Sequence, residues 1–308
     1  MSEPSLRGRT ARGVVRVVNR LPVIGSMRMN GELQNIKSER EPEWRCPEHL
    51  RNTRMETEHF SMELLRPADN FDENLQRRVI LQLHGGGYYG RIHNTYRDAA
   101  AMYIEVSGGC DVLSPDYRVA PEYPYPAALD DARESYKWLL EQDYRPENIV
   151  LAGDSAGGGL ALALGLYLKD HGLPMPAGIV TMSAWTDLTK SGDSYQEKFK
   201  EDPIFGGTRN SLVYKEGYYL DHDPMDPYIS PVNGDFRGFP PMLLQVGEQE
   251  MLLDDTLSVG QKARYAGGRV RVHVYPGMFH IFLMGFTMWP EAREAWKEIG
   301  QFLKIVWR

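Results

Sequence analysis

The apolar run Ile149-Val150-Leu151-Ala152 leads directly into Gly153-Asp154-Ser155-Ala156-Gly157-Gly158, which leads directly into Leu160-Ala161-Leu162-Ala163-Leu164. This order predicts a buried strand, a sharp turn and a buried helix, with a G-x-S-x-G pattern at the junction. A serine on such a turn needs small neighbours because the backbone is crowded, and Gly153 and Gly157 supply the room. The helix that starts just after it aims unpaired N–H groups at any oxyanion formed nearby. Ser155 is therefore a candidate nucleophile. The plainer alternative for a bare G-x-S-x-G is a tight turn or a phosphate loop, so the remaining residues have to decide.

The rest of the chain repeats the strand-then-helix theme. Strands are predicted at Val79–Leu83, Asp111–Ser114, Ile149–Ala152, Ile179–Ser183, Met242–Val246 and Val270–Tyr275, each bounded by Gly, Pro or Asp. Helices are predicted near 95–106, 126–142, 157–170, 252–266 and 290–305, the last opened by Pro290. Alternation of this kind specifies an α/β fold, a mostly parallel sheet flanked by helices. Residues 54–67 add one or two antiparallel strands. Two stretches fit no βα unit: an N-terminal segment, 1–50, and an insertion at about 190–225. Both are expected to cap the carboxyl end of the sheet in a catalytic domain spanning 51–308, because ligands of open α/β sheets bind at that end.

A formal net charge of −7 speaks against a general nucleic-acid binder, which needs a basic face. Cys46 and Cys110 are too few for a disulfide framework and lack zinc-site spacing, so no metal is expected and a reducing compartment is allowed. No apolar run approaches the ~18 residues of a membrane span, so no stable membrane insertion is expected. The N-terminus lacks the apolar core and cleavage site of a secretory signal, and a cytoplasmic location follows as the expectation. Residues 1–28 hold six arginines against the single acid Glu3, interleaved with Val14, Val15, Val17, Val18 and Leu21. This reads as a basic amphipathic helix expected to pack its valine face on the main domain, although a membrane-surface role fits the same pattern.

A serine at its ordinary pKa is a weak nucleophile and requires a base, an acid to orient the base, and donors for the developing oxyanion. His280, on the loop after the last predicted strand, emerges at the same sheet edge as Ser155 and is the preferred base. After Met242–Val246 come Glu248, Glu250, Asp254 and Asp255. Glu250 is still on the loop and is the preferred acid, with Asp254 as the alternative, since Asp254 and Asp255 fall inside a helix. His84-Gly85-Gly86-Gly87 follows another strand, and three glycines let main-chain amides approach a ligand.

With these elements the chain resembles the hormone-sensitive-lipase-like carboxylesterases of the α/β-hydrolase superfamily over roughly residues 75–285. The likeness rests on His84-Gly85-Gly86-Gly87, Tyr117-Arg118-Val119-Ala120-Pro121-Glu122, the Gly153–Gly158 block, Asp226-Pro227-Tyr228-Ile229-Ser230-Pro231 and Pro276-Gly277-Met278-Phe279-His280. The resemblance implies Ser155 as nucleophile, His280 as base, Gly85, Gly86 and Ala156 as oxyanion donors, and an N-terminal helical cap. Many relatives carry Asp at the acid position where this chain has Glu250, and a glutamate accepts the same imidazole N–H bond. The expected activity is hydrolysis of a small-molecule ester through an acyl-enzyme, with no cofactor. Tyr88, Tyr89 and Trp185 are expected to crowd the acyl side and select short chains. A sugar deacetylase or lactonase would use the same chemistry, and a non-catalytic receptor the same scaffold. The last strand, Val270–Tyr275, is a candidate for pairing two copies into a homodimer, as relatives do.

Overall fold

The computed structural model describes residues 3–19, 41–68 and 77–307. Eight strands form one sheet in the order β1-β2-β4-β3-β5-β6-β7-β8. They are β1 (Leu50–Glu56), β2 (Ser61–Pro67), β3 (Val79–Leu83), β4 (Asp111–Asp116), β5 (Ile149–Asp154), β6 (Gly178–Met182), β7 (Met242–Gly247) and β8 (Val270–Tyr275). The hairpin β1–β2 runs antiparallel to its neighbours, and β4, β3 and β5 to β8 are parallel. The fold is that of an α/β-hydrolase, and β8 forms one edge of the sheet.

Side chains alternate across a strand, and in a sheet covered on both sides each face must be apolar. Leu81, Leu83 and Leu151 join one core with α3 (Ala127–Glu141), α4 (Ser155–Asp170) and α6 (Leu253–Tyr265). Ile80, Val150 and Ala152 point the other way and join a second core with α2 (Asn94–Ser107) and α7 (Pro290–Val306). Strand order reverses between β3 and β5, since β4 lies on one side of β3 and β6 on the far side of β5. Their register pairs Leu83 with Gly153, so the glycine loop and the serine turn leave the sheet side by side at the crevice where such sheets bind ligands.

The first helix, α1 (Leu6–Asn19), departs from expectation. Its inward residues are small or short: Gly8 is buried, and Ala11 and Val15 pack on the second core. A Cβ on Gly8 would lie 2.6 Å from Met278 Cε and 2.9 Å from the Glu291 carboxylate, so close approach to α7 selects the glycine side. Val14, Val17 and Val18 consequently face outward, reversing the expected packing. The remainder of the basic stretch, from residue 20 to 28, lies outside the described residues. Inside the insertion, α5 (Ser194–Glu197) and a short 3-10 turn at Leu212–Tyr214 are the regular elements. The insertion lies against the loops after β3, β7 and β8: Leu212 sits 3.3 Å from where a Gly87 Cβ would be, Asp202 accepts the Met251 amide, and Phe205 contacts His280.

Candidate active site

Ser155 stands at the end of β5 and begins α4, two residues earlier than the predicted helix start. Its φ of 52° lies in the left-handed region that non-glycine residues rarely occupy. Packing around the turn enforces that geometry. A Cβ on Gly153 would come within 2.2 Å of the Gly157 carbonyl oxygen, and one on Gly157 within 2.1 Å of the Leu83 carbonyl oxygen. Glycines at both positions let the turn fold against the β3 loop without displacing main chain.

His280, 125 residues away in sequence, brings Nε2 to 3.0 Å from Ser155 Oγ. Its Nδ1 lies 3.0 Å from Glu250 Oε2. Both partners are buried, and the Phe205 ring rests 4.5 Å from the imidazole, centroid to centroid. Glu250 Oε1 is occupied separately: it accepts the Ser183 hydroxyl at 2.7 Å and the Gly247 amide at 2.5 Å, leaving Oε2 to the histidine. Asp254 points elsewhere and accepts the Ser194 amide, while Asp255 accepts the amides of Thr186 and Asp187. Of the carboxylates after β7, Glu250 is therefore the one on the imidazole.

Sequence reasoning missed Ser183. Besides binding Glu250, its hydroxyl accepts the amide of Ile281, the residue after His280, at 3.0 Å. One side chain just after β6 thus holds both Glu250 and the loop that carries His280, and the local sequence carries no mark of it. Asp154 was also unassigned. Its Oδ1 accepts the Gly85 amide at 3.0 Å and its Oδ2 lies 3.4 Å from the Tyr96 hydroxyl. Burial pushes this carboxyl up to about 7, against the opposing pull of His280 and the Gly85 amide.

The Asp154 contact corrects one expectation. The Gly85 amide is engaged by Asp154, so it does not aim into the crevice as an oxyanion donor. Gly86 and Gly87 follow with φ of 122° and 64°, and their amides meet no protein acceptor among the described residues. The Ala156 amide, in the first turn of α4, lacks an intrahelical partner by position. His84 itself is structural. Its ring stacks on Tyr117 at 4.0 Å, Tyr117 donates to its carbonyl, and burial pushes its pKa down, so the imidazole stays neutral beneath the glycine loop.

Of the aromatics expected near the acyl group, Tyr88 is buried and stacks on Tyr218 at 3.7 Å, and Tyr89 packs its hydroxyl end against Gly217. Trp185 is buried with its amide donating to the Ser155 carbonyl at 2.8 Å. All three belong to the core that underlies the site.

The sequence pattern of a family described as alpha/beta hydrolase fold matches residues 80–284. An acetyl-hydrolase of Streptomyces hygroscopicus is 39% identical over 246 residues, 80% of each chain. An esterase of Acinetobacter venetianus is 37% identical over 73% of this chain and 74% of its own. Among solved structures, an esterase from the bacterial hormone-sensitive lipase family superposes with a TM-score of 0.84 at 30% identity, covering 100% of both chains. EstE5 soaked with p-nitrophenyl butyrate superposes with a TM-score of 0.85 at 30% identity, covering 98% of this chain and 99% of that one. Fold, motif order and likeness over most of the length agree, and the chain belongs to the hormone-sensitive-lipase-like serine carboxylesterases of the α/β-hydrolase superfamily.

Proposed function

We propose that the protein hydrolyses small short-chain carboxylic esters through Ser155, His280 and Glu250 by way of an acyl-enzyme. The observation that carries this reading is the continuous hydrogen-bonded line from Ser155 Oγ through His280 to Glu250, 3.0 Å at each step. Ser155 donates its proton to Nε2 as Oγ attacks the ester carbonyl, and the tetrahedral oxyanion draws on the amides of Ala156, Gly86 and Gly87. His280 then returns the proton to the leaving alcohol. In the second half-reaction it takes a proton from water, which attacks the acyl-enzyme, and returns that proton to Ser155 Oγ as the acid is released. Glu250 holds the tautomer with hydrogen on Nδ1 and balances the imidazolium as it forms.

The two similar proteins support a short acyl group. The acetyl-hydrolase relative and the butyrate ester soaked into EstE5 carry short acyl chains. Turnover of p-nitrophenyl acetate, butyrate and palmitate by wild type and Ser155→Ala tests both parts. Loss of turnover in the variant and a preference for the short esters are expected. An unchanged rate in the variant removes the nucleophile, and equal rates on butyrate and palmitate remove the chain-length preference.

A further inference from the structure

Helix α1 has an outer face at odds with its exposure. Leu6, Val14, Val17 and Val18 are 73%, 56%, 66% and 39% exposed, four large apolar side chains on one 14-residue helix. Their spacing places them on one arc of about 120° that Thr10 and Arg7 share, with Arg9 exposed at its margin and no acidic residue anywhere in the helix. A helix arc that ends in water is normally polar, and scattered single exposures need no explanation, but a clustered apolar arc does. The whole chain carries a net charge of −7 although α1 itself holds four arginines and no acid, so this helix concentrates positive charge on an otherwise acidic molecule.

The inner face of α1 contacts loops that flank His280. Arg12 donates to the Gly277 carbonyl, three residues before His280. Arg16 and Asn19 donate to the carbonyls of Glu201 and Pro203, on the loop that lays Phe205 against His280. Whatever α1 docks against is therefore held next to the loops that build the site.

We propose that the outer face of α1 docks reversibly on an anionic lipid surface. Leu6, Val14, Val17 and Val18 enter the boundary between headgroups and acyl chains, and Arg7 and Arg9 stay at the phosphate level, the arrangement of an interfacial amphipathic helix. Charge complementarity selects the anionic surface: it attracts α1 and repels the acidic remainder, so the molecule lands with α1 down. This goes beyond ester hydrolysis and does not depend on it.

The test is flotation of the full-length protein with phosphatidylcholine vesicles and with vesicles containing about 30 mol% phosphatidylglycerol. Wild type is expected to float with the anionic vesicles and to be released by salt near 0.5 M, at which charges are screened beyond about 5 Å. Val14→Asp/Val17→Asp is expected to lower the bound fraction about tenfold or more. Tyr265→Ser, which removes a still more exposed aromatic from α6, is expected to leave it unchanged. Circular-dichroism melting shows that each variant is folded, independently of any turnover. Failure of folded wild type to float overturns the proposal, as does flotation of the double aspartate variant at the wild-type level. So does a wild-type mass by light scattering of twice the chain, lost in the double variant, with no vesicle binding: the face would then join two copies.

Discussion

Replacing Asp154 by Asn tests how the glycine loop is held beside the nucleophile. The asparagine oxygen can still accept the Gly85 amide, now held by a carboxyl that burial keeps at about 7 rather than its ordinary 3.8. The sign follows from proton counts. Between these two values the folded state binds more protons than the unfolded chain at this position, so stability falls as pH rises through 3.8 and levels off only above 7. Each unit of difference corresponds to about 1.4 kcal/mol, and burying the ionised group costs on the order of 4 kcal/mol once fully titrated. Between pH 5 and pH 8 the share of that cost that develops is about 2 to 3 kcal/mol. Asparagine is neutral throughout, so urea unfolding is expected to show the variant gaining that much on wild type between the two conditions. Because every other buried acid, Asp202, Glu250 and Asp255 among them, is common to both proteins, the double difference isolates Asp154. A stability difference that stays constant across this range would refute the claim that burial controls this carboxyl.

Glu250→Gln keeps a partner of similar shape but can no longer balance the imidazolium, so kcat on a p-nitrophenyl ester is expected to fall by about 10³ to 10⁴. Ser183→Ala removes the hydroxyl that binds Glu250 and accepts the Ile281 amide; a loss of about 1 to 3 kcal/mol in urea unfolding is expected, with kcat falling more than KM. Gly157→Ala places a methyl 2.1 Å from the Leu83 carbonyl oxygen, where main chain must move, so thermal melting is expected to show a protein that is unfolded or severely destabilised.

The sheet was legible because its strands obey local rules. Val79–Leu83 and Val270–Tyr275 coincide with prediction, the four strands between them differ by one or two residues at their ends, and β1 starts at Leu50, four residues before the predicted antiparallel segment. The start of α4 was read too late because Ser155-Ala156 beside consecutive glycines looks like loop, whereas the helix begins at Ser155 itself. Ser155, His280 and Glu250 could be picked out by chain order and by their places after strands. Their supports could not. Ser183 acts across 67 residues and Asp154 across 69, through adjacency of β6 with β7 and of β3 with β5, which no local pattern encodes. The same blindness misassigned Gly85, whose amide is claimed by a carboxylate on the neighbouring strand. For α1 the expected single valine face is split, Val15 packing on the second core and Val14, Val17 and Val18 facing outward, because the close approach permitted by Gly8 outweighed the apolar area that the valines offered.

The most direct measurement of the central claim is labelling by a fluorophosphonate, which reacts only where a serine is activated. The Ser155–His280–Glu250 arrangement predicts stoichiometric modification mapped by mass spectrometry to the peptide bearing Ser155, and its loss in His280→Ala. Folded wild type that stays unmodified, or modification at another serine, would contradict it.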